Sequence, residues 1–185
     1  MHDKTDSWIL MKEEGNILLS GKRIILIIVI TLVCGCITIL KAQELPPRPV
    51  IVTFNNAQPL AFGAFTPGLS GGTVTVFPGG SRSSTGDVIL LGLGYLFTPA
   101  MFYVRANPGT VLSVLVNPPV TLTGSGGGTM TLQTGGTLPA SPFVTTLPWP
   151  QQTTLLLGGT LTVGNIGANP AGSYTGTFNV TFVQE

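Results

Sequence analysis

Beyond Lys41 the chain has no cysteine, no histidine and no lysine. Its cysteines, Cys34 and Cys36, and its one histidine, His2, all lie near the N-terminus. From Gln43 onward the charged residues are Glu44, Arg48, Arg82, Asp87, Arg105 and Glu185, which balance to zero. Each shortage excludes something. Without cysteine there is no disulfide framework, so a domain here is held by its core alone. Zinc requires Cys or His. Calcium requires several convergent oxygens, and Asp87 is the lone aspartate, with Glu44 and Glu185 at the ends. General acid–base catalysis needs titratable groups held near one another, and six scattered charges supply almost none. Three separate arginines make no phosphate-neutralising surface, which argues against nucleic acid as a partner. No catalytic residue, no metal and no cofactor is expected, and the chain is read as a non-enzyme.

What is present begins with a leader. Lys22 and Arg23 precede the apolar run Ile24–Leu40, and the small residue Ala42 follows. A basic patch, an apolar stretch and a small residue make a secretory signal, with cleavage between Ala42 and Gln43. The long basic region also allows Met11 as the start. Two other outcomes stay open. "VCGC", Val33 to Cys36, resembles a lipoprotein signal in which Cys36 carries lipid, although the run continues apolar past it. The run is also near the lower limit for a span, so it can stay as an uncleaved anchor. Membrane contact is expected only through this leader.

After a Pro-rich extension at 43–49, expected to be stiff and extended, residues 50–185 read as one domain. Short β-rich runs recur: "VIVTF", "LAFGAF", "GTVTVF", "GDVILLG", "MFYVRA", "VLSVLV", "VTLTG", "TMTLQT" and "TTLLLGGTLTVG". Turn formers such as "PGG", "NPG", "NPP" and "GSGGG" separate them. Strands at this spacing indicate a sandwich or barrel. In "GTVTVF", Val74 and Val76 oppose Thr73, Thr75 and Phe77. In "GTLTVG", Leu161 and Val163 oppose Thr160 and Thr162. Such alternation gives each strand one buried and one solvated face, as in two packed antiparallel sheets. "DVILLGLG" is apolar on both sides and reads as a central strand, or as one covered by a neighbour. The closing "AGSYTGTFNVTFVQE" reads as a strand with Tyr174, Gly176, Phe178, Val180 and Phe182 on its apolar face. That face needs a cover, from the chain's own second sheet or from another copy.

Motifs that spell chemistry have plainer readings. "GLSGG", Gly68 to Gly72, matches a hydrolase elbow around Ser70, but that motif needs a following helix and a His base. It reads as a turn between strands. "GSGGG", Gly124 to Gly128, lacks the Lys of a phosphate loop and a helix behind it, so it reads as a hairpin turn. Asn179-Val180-Thr181 is a glycosylation sequon, with Asn179 on the outward face. Trp149, in the loop from Phe143 to Gln152, is either a capping aromatic or a ligand platform for a sugar or protein.

Three segments together carry a resemblance: "LAFGAFTPGLSGGTVTVFPGGSRSSTGDVILLG", "NPGTVLSVLV…VTLTGSGGGTMTL" and "LLLGGTLTVGNIGANPAGSYTGTFNVTF". They resemble the small secreted bacterial domains of domain-of-unknown-function family 4402, a class with no assigned activity. More loosely, "PLAFG" and "PAGSYTGTFNVTF" are similar to the opening and closing strands of spore-coat-protein-U-like domains. Those in turn resemble pilins of the archaic chaperone–usher type. That likeness implies an immunoglobulin-like sandwich lacking one strand, which a neighbour's N-terminal extension fills. The chain departs from it by lacking an early Cys and by having Pro where a donor needs ladder hydrogen bonds. The donor is then Val50–Phe54, or there is none.

The expected fold is therefore an all-β, immunoglobulin-like antiparallel β-sandwich preceded by an N-terminal signal segment at 1–42. The expected function is that of an exported structural or surface subunit, in the periplasm, at the surface or outside a Gram-negative bacterium. Its expected partners are copies of itself or other surface subunits. Val50, Val52, Phe54, Phe178, Val180 and Phe182 are the candidate strand-assembly residues. The competing expectation is an extracellular glycan- or protein-binding module built around Trp149.

Overall fold

The strands follow the alternation and end at the Gly and Pro turns. A computed structural model describes residues 48–185. The readings placed on Cys36, Ala42 and Gln43 lie outside the described residues. The described residues are all-β, in the order β1 (Ile51–Phe54), β2 (Ala61–Phe62), β3 (Phe65–Val76), β4 (Arg82–Leu90), β5 (Phe97–Thr98), β6 (Ala100–Arg105), β7 (Val111–Leu115), β8 (Val120–Gly124), β9 (Thr129–Leu138), β10 (Phe143–Val144), β11 (Thr153–Val163), β12 (Tyr174–Thr175) and β13 (Thr181–Gln184). β5 and β10 are two-residue pieces that the pattern of the sequence does not mark.

All pairings are antiparallel, and β11 is the axis of the large sheet. One edge of β11 carries β9. The other carries β6 along Thr153–Leu157 and then β3 along Gly159–Val163. β1 flanks β6, and β8 and β12 continue beyond β9. Leu155, Leu157, Leu161 and Val163 all point inward, at 3% exposure or less, so one alternating strand feeds both cores.

Core 1 gathers Val74, Val76, Val88, Leu122, Met130, Leu132, Leu161 and Val163. It closes because the β3–β4 ribbon bends. The register slips between Pro67 and Gly72, and such a bulge kinks a strand pair. Val88 from one arm thus shares a core with Val74 and Val76 from the other. The "GLSGG" stretch is this bulge inside one strand, which corrects its reading as a turn between strands. Gly86 takes φ 67° there, and a Cβ on it would meet the Gly71 carbonyl at 2.6 Å. Among the described residues β4 pairs only with β3, so "DVILLGLG" is an edge and not a central strand. The bend exposes Ile89 where the sequence suggested a cover.

Core 2 gathers Ala100, Phe102, Val104, Leu112, Val114, Phe143, Leu155 and Leu157. It is closed by a three-stranded sheet, β10-β7-β13. Phe143 belongs to that sheet, so the expected loop from Phe143 begins two residues later.

The closing segment is not one continuous strand. Tyr174 pairs with Gly124 in the large sheet, and Thr181 pairs with Leu115 in the small one. Between them the backbone passes close to β8: a Cβ on Gly176 would lie 2.9 Å from the Thr121 carbonyl. The segment therefore crosses from sheet to sheet. The period-2 facing survives the crossing. Tyr174 and Phe178 pack on core 1, and Phe178, Val180 and Phe182 pack on core 2. The apolar face is covered by the chain's own cores.

Candidate functional site

The six candidate strand-assembly residues come together at core 2. Val50, Val52, Phe178, Val180 and Phe182 are partly buried against it. Phe54, 41% exposed, joins through the buried Phe102. Its ring lies 5.3 Å from the ring of Phe102 and is tilted by 48°. Phe182 meets the same Phe102 edge-on at 5.7 Å. Phe102 thus links β1, the last strand of one sheet, to β13, the last strand of the other. Such tilted aromatic pairs contribute about 0.5–1.5 kcal/mol beyond area burial.

Both strands are edges among the described residues: β1 pairs only with β6, and β13 only with β7. The segment named as a donor, Val50–Phe54, lies on its own chain's β6, with Val52 opposite Val104 and Phe54 opposite Phe102. What stays open is the outer rim of each strand. Charge guards that rim weakly. Among the described residues the charge beside β13 is Glu185, which accepts a hydrogen bond from the Ser113 hydroxyl and donates its N–H to the Val111 carbonyl at 3.1 Å. Neither edge strand contains Pro or Lys, the residues that blunt edges elsewhere. Leu115, 49% exposed, and Val183, 38% exposed, add apolar surface on the outer face.

The other singled-out residues are structural in their contacts. Ser70 is exposed on the bulge, and its N–H reaches the Asp87 carboxylate at 3.4 Å. The carboxylate of Asp87 occupies the space that a Cβ on Gly68 would need. Ile166 N–H donates to the Gly68 carbonyl at 3.0 Å. The motif's glycines are thus explained by close packing. "GSGGG" is the β8–β9 hairpin turn, closed by Gly124 N–H on the Gly128 carbonyl at 3.1 Å and held by the Tyr174 hydroxyl on the Gly127 carbonyl at 3.3 Å. Among the described residues no group of three His, Cys, Asp or Glu could hold a metal. Trp149 is half-buried, with the Arg48 guanidinium 5.2 Å above its ring. One face of the proposed platform is therefore taken by the chain itself. Asn179 is exposed, just before β13.

Sequence reasoning missed three polar anchors. Arg82 donates to the carbonyls of Phe62 at 2.6 Å, Ala64 at 3.2 Å and Leu91 at 3.4 Å, and lies 4.5 Å over the Phe97 ring. It staples the bent ribbon shut. Thr145, 2% exposed, donates to the Asn107 carbonyl at 2.6 Å and fixes the loop between β6 and β7. Asn169, 3% exposed, donates to the Thr129 carbonyl at 2.8 Å and accepts from Gly164 N–H. Only distant partners reveal these roles; the one local signal is the turn chemistry of "NPGT" and "NIGANP".

One family model, Domain of unknown function (DUF4402), matches residues 52–183. No curated protein and no solved structure matches the chain. The match spans most of the chain, which therefore belongs to that family.

Proposed function

We propose that this member of the DUF4402 family is an exported, non-catalytic structural subunit of a bacterial surface assembly. It joins copies of itself, or other surface subunits, by β-strand contacts. The observation that carries the reading is the open edge of β13 among the described residues, which runs beside the half-buried Val180 and Phe182, contains neither charge nor proline, and has only Glu185 beside it. A free strand edge is a template for pairing with another chain. We read the β1-β6-β11-β9 run over β10-β7-β13 as an immunoglobulin-like sandwich with room for one more strand beside β13. The leader, with its basic patch and apolar run, supports export to the periplasm or surface. The near absence of ionisable side chains supports a packing role over a chemical one.

The test is negative-stain electron microscopy of the purified protein beside a Thr181→Lys/Val183→Lys variant, which places like charges along the β13 edge. Ordered multimers in the wild type that vanish in the variant are the expected result. Single particles of monomer size in both would end the reading.

A further inference from the structure

Two strand edges lie on one flank of the molecule. Among the described residues β1 ends the large sheet beyond β6, and β13 ends the small sheet beyond β7. The ring of Phe102 meets both Phe54 of β1 and Phe182 of β13, so the two edges are stacked across core 2. They run in opposite directions. β1 starts beside Arg105, the last residue of β6. β13 ends beside Val111, the first residue of β7, to whose carbonyl Glu185 donates its N–H. The β6–β7 connection joins those two positions, so the start of β1 and the end of β13 share one end of the flank.

The backbone alternation says which groups each edge offers. In an antiparallel strand, successive residues point their N–H and C=O to opposite neighbours. Asn55 donates to the Met101 carbonyl of β6 at 2.9 Å. Ile51 and Thr53 therefore also face β6, and Val52 and Phe54 offer their backbone groups to the open side. Glu185 donates to the Val111 carbonyl at 3.1 Å. Thr181 and Val183 therefore face β7, and Phe182 and Gln184 offer theirs. The side chains of Val52 and Phe182 pack on core 2, so on both strands the open backbone belongs to the residues of the inward face. Joining the two rims keeps both apolar faces on the same side. A shift of one residue on either strand would turn one of them outward.

We infer that β13 pairs antiparallel with β1 of a second copy, and β1 with β13 of that copy, about a two-fold axis along the strands. One contact then closes both edges, and the same patch serves on each subunit, as an isologous interface requires. Each small sheet continues into the large sheet of the other copy. Pairing β13 with itself would leave the β1 edge open. The register places Thr181 opposite Thr53, Phe182 opposite Val52 and Val183 opposite Ile51, the Thr–Thr and aromatic–β-branched pairs that stabilise antiparallel strands. It covers Ile51, Phe54 and Val183, which are 39%, 41% and 38% exposed in the single chain. Charge agrees with it. Glu185 of one copy comes to the end of β1 where Arg48 and Arg105 of the other lie. The inference rests on the subunit reading above and names the strand that the β13 edge receives.

The experiment is disulfide trapping in a Cys34→Ser/Cys36→Ser background. Thr53 and Thr181 are both exposed. In this register they meet at a non-hydrogen-bonded site, where Cα atoms lie about 4.5 Å apart, within the span of a disulfide. Thr53→Cys and Thr181→Cys proteins, oxidised as a mixture, should form a covalent heterodimer joined at those two positions, read by mass spectrometry. Each protein oxidised alone should stay a single chain on a denaturing gel. Light scattering of Ile51→Glu is the second readout. Arg105 lies opposite Ile51 within the chain, so the new carboxylate has a partner and the melting temperature should hold. Association should weaken about tenfold or more, because that carboxylate replaces the apolar neighbour of Val183 and approaches Glu185 of the other copy. A Thr181→Cys protein that crosslinks to itself sets β13 against β13 and refutes the β1 pairing. So does a mixture that gives no crosslink while the wild type associates, and so does association that survives Ile51→Glu but not Thr181→Lys/Val183→Lys. In these three cases the subunit reading stands. A wild type that stays monomeric at every concentration refutes both.

Discussion

Replacing Arg82 tests how the β3–β4 ribbon stays folded over core 1. The half-buried guanidinium reaches three carbonyls at 2.6, 3.2 and 3.4 Å and covers the Phe97 ring at 4.5 Å. Hydrogen bonds to a charged group contribute about 1.5–3 kcal/mol when well made. The 3.4 Å bond is weak, and the side chain keeps some contact with water, so the lower part of the range applies. The cation–π contact adds about 0.5–1 kcal/mol. Ala64's carbonyl keeps the Leu91 N–H as a second partner, which softens the loss. Arg82→Ala should therefore cost roughly 3 kcal/mol of unfolding free energy. Arg82→Lys keeps the charge but cannot fork across two carbonyls, so about half of that should be lost. Urea unfolding followed by tryptophan emission reads both values, and amide exchange at Leu91 should quicken in step. Losses under about 0.5 kcal/mol, the range of an ordinary surface change, would refute the staple.

Three further outcomes follow from burial and backbone geometry. Leu155→Ala should destabilise by about 3 kcal/mol in thermal or urea unfolding, because the fully buried side chain, opposite Phe102 of β6, sits in core 2 and its loss leaves a cavity. Gly86→Ala should cost about 2 kcal/mol, since φ is 67° and the new Cβ would press on the Gly71 carbonyl; Ser84→Ala on the same strand should cost little and serves as the control. Thr145→Val should lose about 1–2 kcal/mol through the Asn107 and Thr110 carbonyls, with faster exchange at the Gly109 amide, which donates to the Thr145 carbonyl.

The strands that the sequence shows best are those whose alternation is buried on one side. Val74 and Val76, and Leu161 and Val163, face inward as their spacing with threonine requires. The closing segment shows where such reading stops. Its facing is correct from Tyr174 to Phe182, yet its ladder changes partner, from β8 at Tyr174–Thr175 to β7 from Thr181. Periodicity reports which side is covered, not which strand is the neighbour. Likewise "DVILLGLG" has the composition of a central strand and ends as an exposed edge, since composition cannot register a bend four residues long in β3. Arg82 counted only as a surface charge in the sequence, because its three carbonyl partners lie 9 to 20 residues away. The six strand-assembly residues were recognisable as apolar alternation at the two ends of the domain; their meeting around Phe102 required the fold.

The account's central claim is that this chain is a building block. Multi-angle light scattering of the purified protein across a hundredfold range of concentration tests it most directly. The account predicts discrete multimers whose mass grows with concentration and falls to one chain in Thr181→Lys/Val183→Lys. A single-chain mass throughout, with a cooperative unfolding transition, would contradict it.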